Sequence, residues 1–309
     1  MTVQLADVVI GVFSTTLLLS PLYLFAGLGE IVAEKAGVAN MGIEGIMLMS
    51  LFTTYAVDLM TGNAWLGILV SLGVAGLMGA IFAYLAVQMR LDQIVVGLAV
   101  YLFGLGMSFV LFNGFTSSAT IVNIGRLYIP YLSGVPILGP ILFEQNILVY
   151  FSIVLVVLVA YFLGRTSLGL RVRAVGEDPK ASDNMGVNVV KVRFLAVLFG
   201  AVLAGLAGSY FFVGFLQSFQ FDIILGRGFI ALAMIYFANW KPYRLLFAAL
   251  SFNIVYAAQS EFVAISSTAI AGSSQLFNML PYIFLLALIP IFGRKSRPPK
   301  YLLKPYKKG

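Results

Sequence analysis

The stretch RTSLGLRVRAVGEDPKASDNMGVNVVKVR, residues Arg165 to Arg193, separates two long apolar runs of the chain. It carries six basic residues against three acidic ones. In membrane proteins, an excess of lysine and arginine in a short loop marks the cytoplasmic side. We therefore interpret this basic segment, residues 165–193, as a cytoplasmic loop that fixes the orientation of the membrane spans on either side of it.

The middle of the basic segment carries the signals of a short helix. Asp178 can cap a helix with its carboxylate, and Pro179 suits the first helical position because an N–H there would have no partner. Gly186 can take the left-handed conformation that ends a helix. These residues predict a helix of about two turns over 179–185. So short a helix is marginal in water, so we expect it to dock on another surface; an ordinary charged loop is the alternative.

The composition excludes a soluble globular protein. Of the 309 residues, 61% are hydrophobic and 10% are charged, and the mean hydropathy is +1.01. Soluble domains carry about 25% charged residues. The chain has neither cysteine nor histidine, so we expect no metal site, no cofactor and no catalytic residue. We predict an all-α fold, a single polytopic transmembrane helical bundle over residues 1–309.

Apolar segments long enough to cross a bilayer predict about nine spans, within a range of eight to ten. The predicted spans are residues 7–28, 38–60, 64–88, 93–113, 146–164, 192–216, 227–240, 243–260 and 276–293. A broken or re-entrant second span stays open. If the basic segment is cytoplasmic and successive loops lie on alternate sides of the membrane, seventeen of the nineteen basic residues are on the cytoplasmic side. The sequence therefore predicts a cell-membrane protein with an external N-terminus and a cytoplasmic C-terminus.

Two further polar regions lie outside the predicted spans. Residues 114–145 form a loop rich in Gly, Pro, Ser and Asn, which we assign to the external side; it connects two spans and could also meet a binding protein. Residues 294–309 hold seven basic residues and no acidic one. This pattern predicts a cytoplasmic tail beside anionic membrane lipid, and we expect no nucleic-acid partner.

Small residues recur at helical spacing within two of the predicted spans. In a bilayer, helices pack by close approach of their backbones at such residues. We therefore predict helix contacts at Gly73, Gly76 and Gly79 in the third span and at Gly200, Ala204, Gly205 and Gly208 in the sixth.

Residues 37–49, GVANMGIEGIMLM, contain ionisable and polar groups inside a predicted span. Asn40 and Glu44 are four residues apart, which predicts one shared helix face. A carboxylate inside a span costs about 2.5–3.5 kcal/mol, so some other group must compensate Glu44. Two readings stay open: Glu44 fixes helix packing, or Asn40 and Glu44 line a translocation path.

Arg227, between two glycines, opens the short seventh span and is costly in a membrane unless it is paired. We predict that it pairs with a carboxylate near the path, with Glu44 or Asp222 as candidates. Gln217 and Phe219 just before it offer hydrogen-bonding groups and an aromatic face for a solute, although an interfacial belt is the alternative. The predicted pathway residues are Asn40, Glu44, Gln217, Phe219, Arg227 and Asn239.

The segment Leu170 to Gly208 resembles the coupling-loop region of ABC importer permeases of the ribose, nucleoside and branched-chain amino-acid type. That family carries Glu-Ala-Ala, three residues and Gly in a short helix that sits in a groove of the ATPase subunit. This chain has lysine in place of the glutamate and serine in place of the second alanine. The resemblance implies coupling to an ATPase through Asp178, Pro179, Lys180, Ala181, Ser182 and Gly186.

Three further segments resemble the nucleoside and simple-sugar permeases within that family: residues 29–49, Asp92 to Ser108, and Gly226 to Trp240. The first matches the motif Gly-Val-x-Asn-x-Gly-x-Glu-Gly at every fixed position. The resemblance implies an importer-permease architecture with a second permease subunit, two ATPase domains and an external substrate-binding protein. The chain has no phosphate-binding loop of its own, so ATP hydrolysis is expected in a separate chain.

The resulting functional hypothesis is a permease subunit of an ATP-driven importer that moves a nucleoside or related sugar-containing solute into the cell by alternating access. The first alternative is a permease for a branched-chain amino acid, a pentose or hexose, or a vitamin such as riboflavin. The second is an ion-coupled secondary transporter that uses Glu44, Asp58 or Glu261. A membrane-embedded enzyme is disfavoured because histidine and cysteine are absent.

Overall fold

The computed structural model describes residues 5–114, 124–216, 223–265, 277–292 and 296–307. Within these ranges the fold is all-α, as predicted, and the one β feature is an isolated bridge between Arg126 and Asn146. The helices are α1 Leu5–Lys35, α2 Ile43–Thr61, α3 Ala64–Ala83, α4 Gln93–Asn113, α5 Ile147–Arg165, α6 Ser167–Glu177, α7 Pro179–Asn184, α8 Val189–Tyr210, α9 Arg227–Ala238, α10 Pro242–Ile265 and α11 Leu280–Phe292. Three π-helical segments are Tyr84–Gln88, Gly139–Phe143 and Phe211–Leu216.

Seven helices of the described ranges are long and apolar enough to cross a membrane: α1 to α5, α8 and α10. The predicted count of about nine is therefore not confirmed. Helix α9 has 12 residues, so at 1.5 Å per residue it is about 18 Å long, well short of a hydrocarbon core of about 30 Å. It is a half-length helix inside a polytopic bundle.

The first two helices differ most from the predicted spans. Helix α1 continues seven residues beyond the predicted end and includes Pro21. A proline is tolerated inside a membrane helix when neighbouring groups satisfy the freed carbonyl. Helix α2 begins only at Ile43, because residues 36–42 form an irregular turn in which Gly37 has a φ of +90°. The second span is thus preceded by a break, in line with the broken-span alternative that the sequence left open.

The core forms where α1 and α2 pack on α8. At Gly29 and Gly200 the backbones of α1 and α8 touch, since a Cβ on Gly29 would lie 2.8 Å from the Gly200 carbonyl oxygen. Gly208 lies in the same way against the carbonyl of Met47 in α2. These contacts confirm that small residues in the sixth predicted span serve packing.

The glycines of α3 give a mixed result. A Cβ on Gly79 would clash with Ala201 of α8, as the small-residue pattern predicts. Gly76 makes only ordinary contacts, and a Cβ on Gly73 would meet nothing within 4 Å, so the predicted contact at Gly73 is wrong for the described part of the chain. The spacing identified the helix, but Gly73 is not on the face that contacts α8 through Ser71, Ala75 and Gly79.

The basic segment folds into α6, α7 and the start of α8. Helix α6, which the sequence analysis treated as part of a loop, is amphipathic and buries Gly169, Val172, Val175 and Gly176. A Cβ on Gly176 would clash with the Lys35 carbonyl. The basic segment is therefore docked directly on the end of α1. Of the loop 114–145, residues 115–123 lie outside the described ranges.

Candidate functional site

The Glu44 carboxylate binds the N-terminus of the half-length helix α9. Glu44 lies in the first turn of α2 and is 1% exposed. Its two oxygens accept hydrogen bonds from the backbone N–H groups of Gly226, at 2.7 Å, and Gly228, at 2.6 Å. The positive end of the α9 dipole stabilises the negative charge. Backbone amides thus provide compensation for a carboxylate within the bundle.

Two glycines make this contact possible. Gly226, the N-cap of α9, has a φ of +79°, a conformation that residues with a side chain rarely adopt. A Cβ on Gly228 would lie 2.6 Å from a Glu44 carboxylate oxygen and 3.1 Å from the Glu44 Cα. The two glycines of the Gly-Arg-Gly sequence therefore let the backbone at the N-terminus of α9 come into contact with α2.

Arg227 points into an aromatic cluster and is half-buried. Its guanidinium donates hydrogen bonds to the carbonyls of Ile223 and Ile224 and to the Tyr256 hydroxyl. Its Cζ lies 4.9 Å from the centre of the Phe211 ring, a cation–π distance. The described partners are carbonyls, tyrosine hydroxyls and aromatic rings. Asp222 lies outside the described residues, so pairing with a carboxylate stays a prediction.

Asn40 does not share a helix face with Glu44, and that prediction is wrong. Asn40 lies in the irregular turn before α2, where its side-chain oxygen accepts a hydrogen bond from the Gly42 N–H at 2.9 Å. Its own N–H donates to Glu30 at 3.3 Å. The amide nitrogen of the Asn40 side chain is buried and has no hydrogen-bond partner among the described residues. Asn40 thus orders the turn and still carries a donor that a solute or water could use.

Asn239 lies at the opposite end of α9 from Glu44, about 18 Å away along the helix. It has a left-handed φ of +51°, and its side-chain oxygen accepts a hydrogen bond from the Arg297 N–H at 3.0 Å. The structure therefore does not bring Asn239 together with Glu44 and Arg227. Gln217 and Phe219 lie outside the described residues, so their role stays a prediction.

A second carboxylate contact, near the C-terminus of α9, was not predicted from the sequence. Trp240, just after the helix, donates a hydrogen bond from its indole nitrogen to Glu34 of α1. Glu34 and Glu30 are each 1% exposed and lie one helical turn apart. Their i, i+4 spacing beside the Gly37–Gly45 motif was a visible signal, but the predicted first span ended at residue 28 and left both glutamates outside it.

Helix α7 confirms the local prediction for the middle of the basic segment. The Asp178 side chain accepts a hydrogen bond from the Ala181 N–H at 3.0 Å, and Pro179 is the first helical residue. Gly186 has a φ of +81°, and its N–H donates to the Asp183 carbonyl at 2.9 Å. Both ends are capped by local hydrogen bonds. The helix is therefore formed without any partner chain.

The two faces of α7 differ in exposure. Pro179 and Ser182 are buried against the bundle, whereas Lys180, Ala181 and Met185 are exposed, Met185 at 85%. Because its buried side packs on the bundle, α7 holds its exposed side in one orientation toward solvent. The six residues that the resemblance assigns to coupling therefore lie together. Asp178 caps the start of α7, Gly186 follows its end, and the other four residues belong to the helix.

The chain after α11 packs on the same end of the bundle as α7. The Tyr301 N–H donates to the Gly176 carbonyl at 2.9 Å. Arg193 of α8, 2% exposed, donates to the carbonyls of Lys304 at 2.9 Å and Ala36 at 3.1 Å. Tyr306 bonds the Asp183 carboxylate of α7; burial and this carboxylate raise the pKa of Tyr306. Residues 296–307 therefore form a strap across the basic segment, which their charge alone did not suggest.

The helical bundle matches a known protein family over most of its length. A family model described as the permease component of a branched-chain amino-acid transport system matches residues 12–289. The chain belongs to this permease family. Within the part of this permease that the structure describes, no group of three acidic residues could hold a metal ion. No solved structure matches the permease significantly.

Curated relatives of the permease cover nearly its whole length. The guanosine ABC transporter permease protein NupQ of Bacillus subtilis is 33% identical over 99% of this chain and 98% of its own. The nucleoside ABC transporter permease protein NupC of Lactococcus lactis is 31% identical over 94% of each chain. TsgC13 of Haloferax volcanii, whose name proposes a role as a glucose ABC transporter permease, is 33% identical over 90% of each chain. The permease is thus a multi-pass membrane protein of the simple-sugar and nucleoside type.

Proposed function

We propose that this chain is the permease subunit of an ATP-driven importer that moves a nucleoside or a related sugar-containing solute into the cell. The observation that carries the proposal is the capped, exposed helix α7 in a chain of the permease family. Two relatives are named for nucleoside or guanosine transport, and one name proposes glucose. We further propose that the basic segment faces the cytoplasm, with the C-terminus inside and the N-terminus outside.

Helix α7 is proposed to be the contact with a separate ATPase chain. Its exposed residues, Lys180, Ala181 and Met185, would enter a groove of that subunit. Closure of the ATPase pair on ATP would push α7, and α6 and α8 would carry the movement into the bundle. A second permease subunit, identical or different, and an external binding protein complete the proposed assembly.

The translocation path is proposed to pass the N-terminus of α9, where Glu44 and Arg227 lie. A half-length helix whose N-terminus points into the bundle is a frequent element of transporter substrate sites. Here Glu44 already occupies the two amides that would otherwise attract an anion. This arrangement favours an uncharged nucleoside or sugar over an amino acid, whose carboxylate would compete with Glu44.

The test is uptake of labelled guanosine, glucose and leucine by cells that express this chain with its ATPase and binding-protein genes. Gly186→Pro removes the N–H that bonds Asp183 and forbids the φ of +81°. We expect it to abolish uptake. Gly62→Pro is the matched control, because Gly62 also has a left-handed φ, of +67°, and donates to the Asp58 carbonyl, but it lies between α2 and α3.

Three outcomes would contradict the proposal. Uptake by the Gly186→Pro permease at the wild-type rate would exclude α7 as the coupling contact. Uptake in the absence of the ATPase gene would favour the ion-coupled alternative. Uptake of leucine alone would replace the nucleoside assignment by the amino-acid one.

A further inference from the structure

An apolar groove opens on the outer surface of the bundle between α5, α6 and α8. Its volume is about 830 Å³. The walls come from the two spans α5 and α8, and Leu158, Leu195 and Phe199 are 53%, 52% and 40% exposed. The lining side chains of these two helices include Leu155, Leu158, Val159, Phe162, Leu195 and Phe199. The groove is therefore an apolar channel that opens on the surface of two span-length helices.

The mouth of the groove, at the basic segment, is positively charged. Arg171 of α6 and Lys191 of α8 line it together with the polar side chain of Asn188, and no acidic residue is among the lining residues. Both cationic side chains are exposed. Two unopposed cations at one end of an apolar channel complement an anionic headgroup attached to hydrocarbon chains.

A neighbouring cavity provides an internal comparison. It has a volume of about 1110 Å³ and lies on the other side of the α7–α8 connection, against α3 and the π-helical segment Tyr84–Gln88. Lys191 also reaches it, but there Asp183 is part of the lining. Its charges therefore balance, and the site lacks the selectivity for an anion that Arg171 gives to the first groove.

We propose that the groove between α5, α6 and α8 binds an anionic phospholipid. The acyl chains lie along α5 and α8, and the phosphate accepts hydrogen bonds from Arg171 and Lys191. The bound lipid contacts Met185 and Gly186, which also line the groove, so it supports the flank of α7. This site is separate from the strap, whose Arg193 is occupied by backbone carbonyls.

The experiment uses the purified full chain in detergent and native mass spectrometry. Phosphatidylglycerol and phosphatidylcholine with identical acyl chains are titrated separately. The groove variant is Arg171→Gln with Lys191→Gln. The control variant is Arg165→Gln with Arg173→Gln, which removes the same charge from exposed residues of the same segment that do not line the groove. At about 1 kcal/mol per basic residue, the groove variant should bind phosphatidylglycerol roughly tenfold or more weakly.

Two further measurements distinguish the contribution of the lipid headgroup from that of the acyl chains. Leu158→Trp fills the apolar channel while both cations remain, and it should also weaken phosphatidylglycerol binding. Glycerol phosphate, which carries the same charge without acyl chains, should not bind measurably. We expect the wild type and the control variant to prefer phosphatidylglycerol over phosphatidylcholine.

Equal binding of the two lipids, or equal phosphatidylglycerol binding by the groove and control variants, would overturn the proposal. So would a dimeric wild type that retains no lipid, because a second copy of the chain would then cover the groove. Retention of glycerol phosphate alone would assign the two cations to a soluble anion and not to a membrane lipid.

Discussion

The two ends of α9 are both held by buried carboxylates, but in different ways. At the N-terminus, Glu44 contacts the helix backbone directly through the N–H groups of Gly226 and Gly228. At the C-terminus, Glu34 does not bind the helix backbone in this way. It accepts its hydrogen bond from the indole nitrogen of the Trp240 side chain. The helix dipole explains the difference: its positive end stabilises a carboxylate, and its carbonyl end repels one.

This comparison suggests separate tasks for the two ends. The N-terminal end lies within the bundle beside Arg227, and a Cβ on Gly228 would displace the Glu44 side chain. The C-terminal end is tied to the strap through Asn239 and Arg297. Changes at the first end should therefore affect transport most, and changes at the second should affect stability first.

The largest effect is expected for Glu44→Ala. It leaves two amide N–H groups without their acceptor, at about 1–3 kcal/mol for each buried donor. Uptake should fall to background, and the melting temperature of the purified permease should drop. Glu44→Gln, which keeps the volume and one acceptor oxygen, should be intermediate. Wild-type uptake by Glu44→Ala would show that the N-terminus of α9 is not part of the path.

Gly228→Ala should follow, because its Cβ would push Glu44 away from the helix end. We expect severalfold slower uptake with a normal amount of protein in the membrane. Gly106→Ala in α4 is the matched control, since a Cβ there meets nothing within 4 Å. If both variants transport equally well, the close approach of α2 and α9 has no role in transport.

Trp240→Phe tests the other end of α9. It removes the donor to Glu34 but keeps a ring beside Tyr236, whose ring centre lies 5.0 Å from that of Trp240. A buried carboxylate that loses its donor costs about 1–3 kcal/mol. Thermal unfolding should show this loss, while the uptake rate per folded permease stays near wild type. A loss of uptake without a loss of stability would contradict the division between the two ends.

The smallest effect is expected at Asn239. Asn239→Gly keeps the left-handed conformation and removes the hydrogen bond from Arg297, at about 1 kcal/mol. Asn239→Ala also strains the backbone at φ +51° and should cost about 1 kcal/mol more. The two variants should therefore differ in melting temperature but not in uptake. Equal melting temperatures of the two variants would mean that the left-handed conformation of residue 239 does not affect the stability of the permease.

Local signals predicted helix α7 well. Asp178, Pro179 and Gly186 act within a few residues of one another, so their capping roles can be inferred without knowledge of the fold. The all-α bundle followed from composition in the same direct way. The start of α2 did not, because the apolar residues before Ile43 have the hydropathy of a span although they form a turn.

The sequence predicted that Glu44 lies near Arg227, but the atoms that bind the site residues could not be inferred from it. Glu44 and Gly226 are 182 positions apart, and Arg193 and Lys304 are 111 apart. Nothing local indicates that a carboxylate will bind a distant helix end, or that a basic tail will use its carbonyls to bind an arginine. Asn239 was assigned to the path by its motif, whereas its contact is with the strap.

The glycine contacts in the core have a mechanical consequence. The backbones of α1 and α8 touch at Gly29 and Gly200, and a Cβ on Gly104 of α4 would clash with the Gly45 carbonyl of α2. No layer of side chains separates these pairs, so no rotamer change could let one helix slide along the other. Each pair should behave as one rigid body. The proposed alternating-access movement of the permease must then occur at looser contacts elsewhere in the bundle.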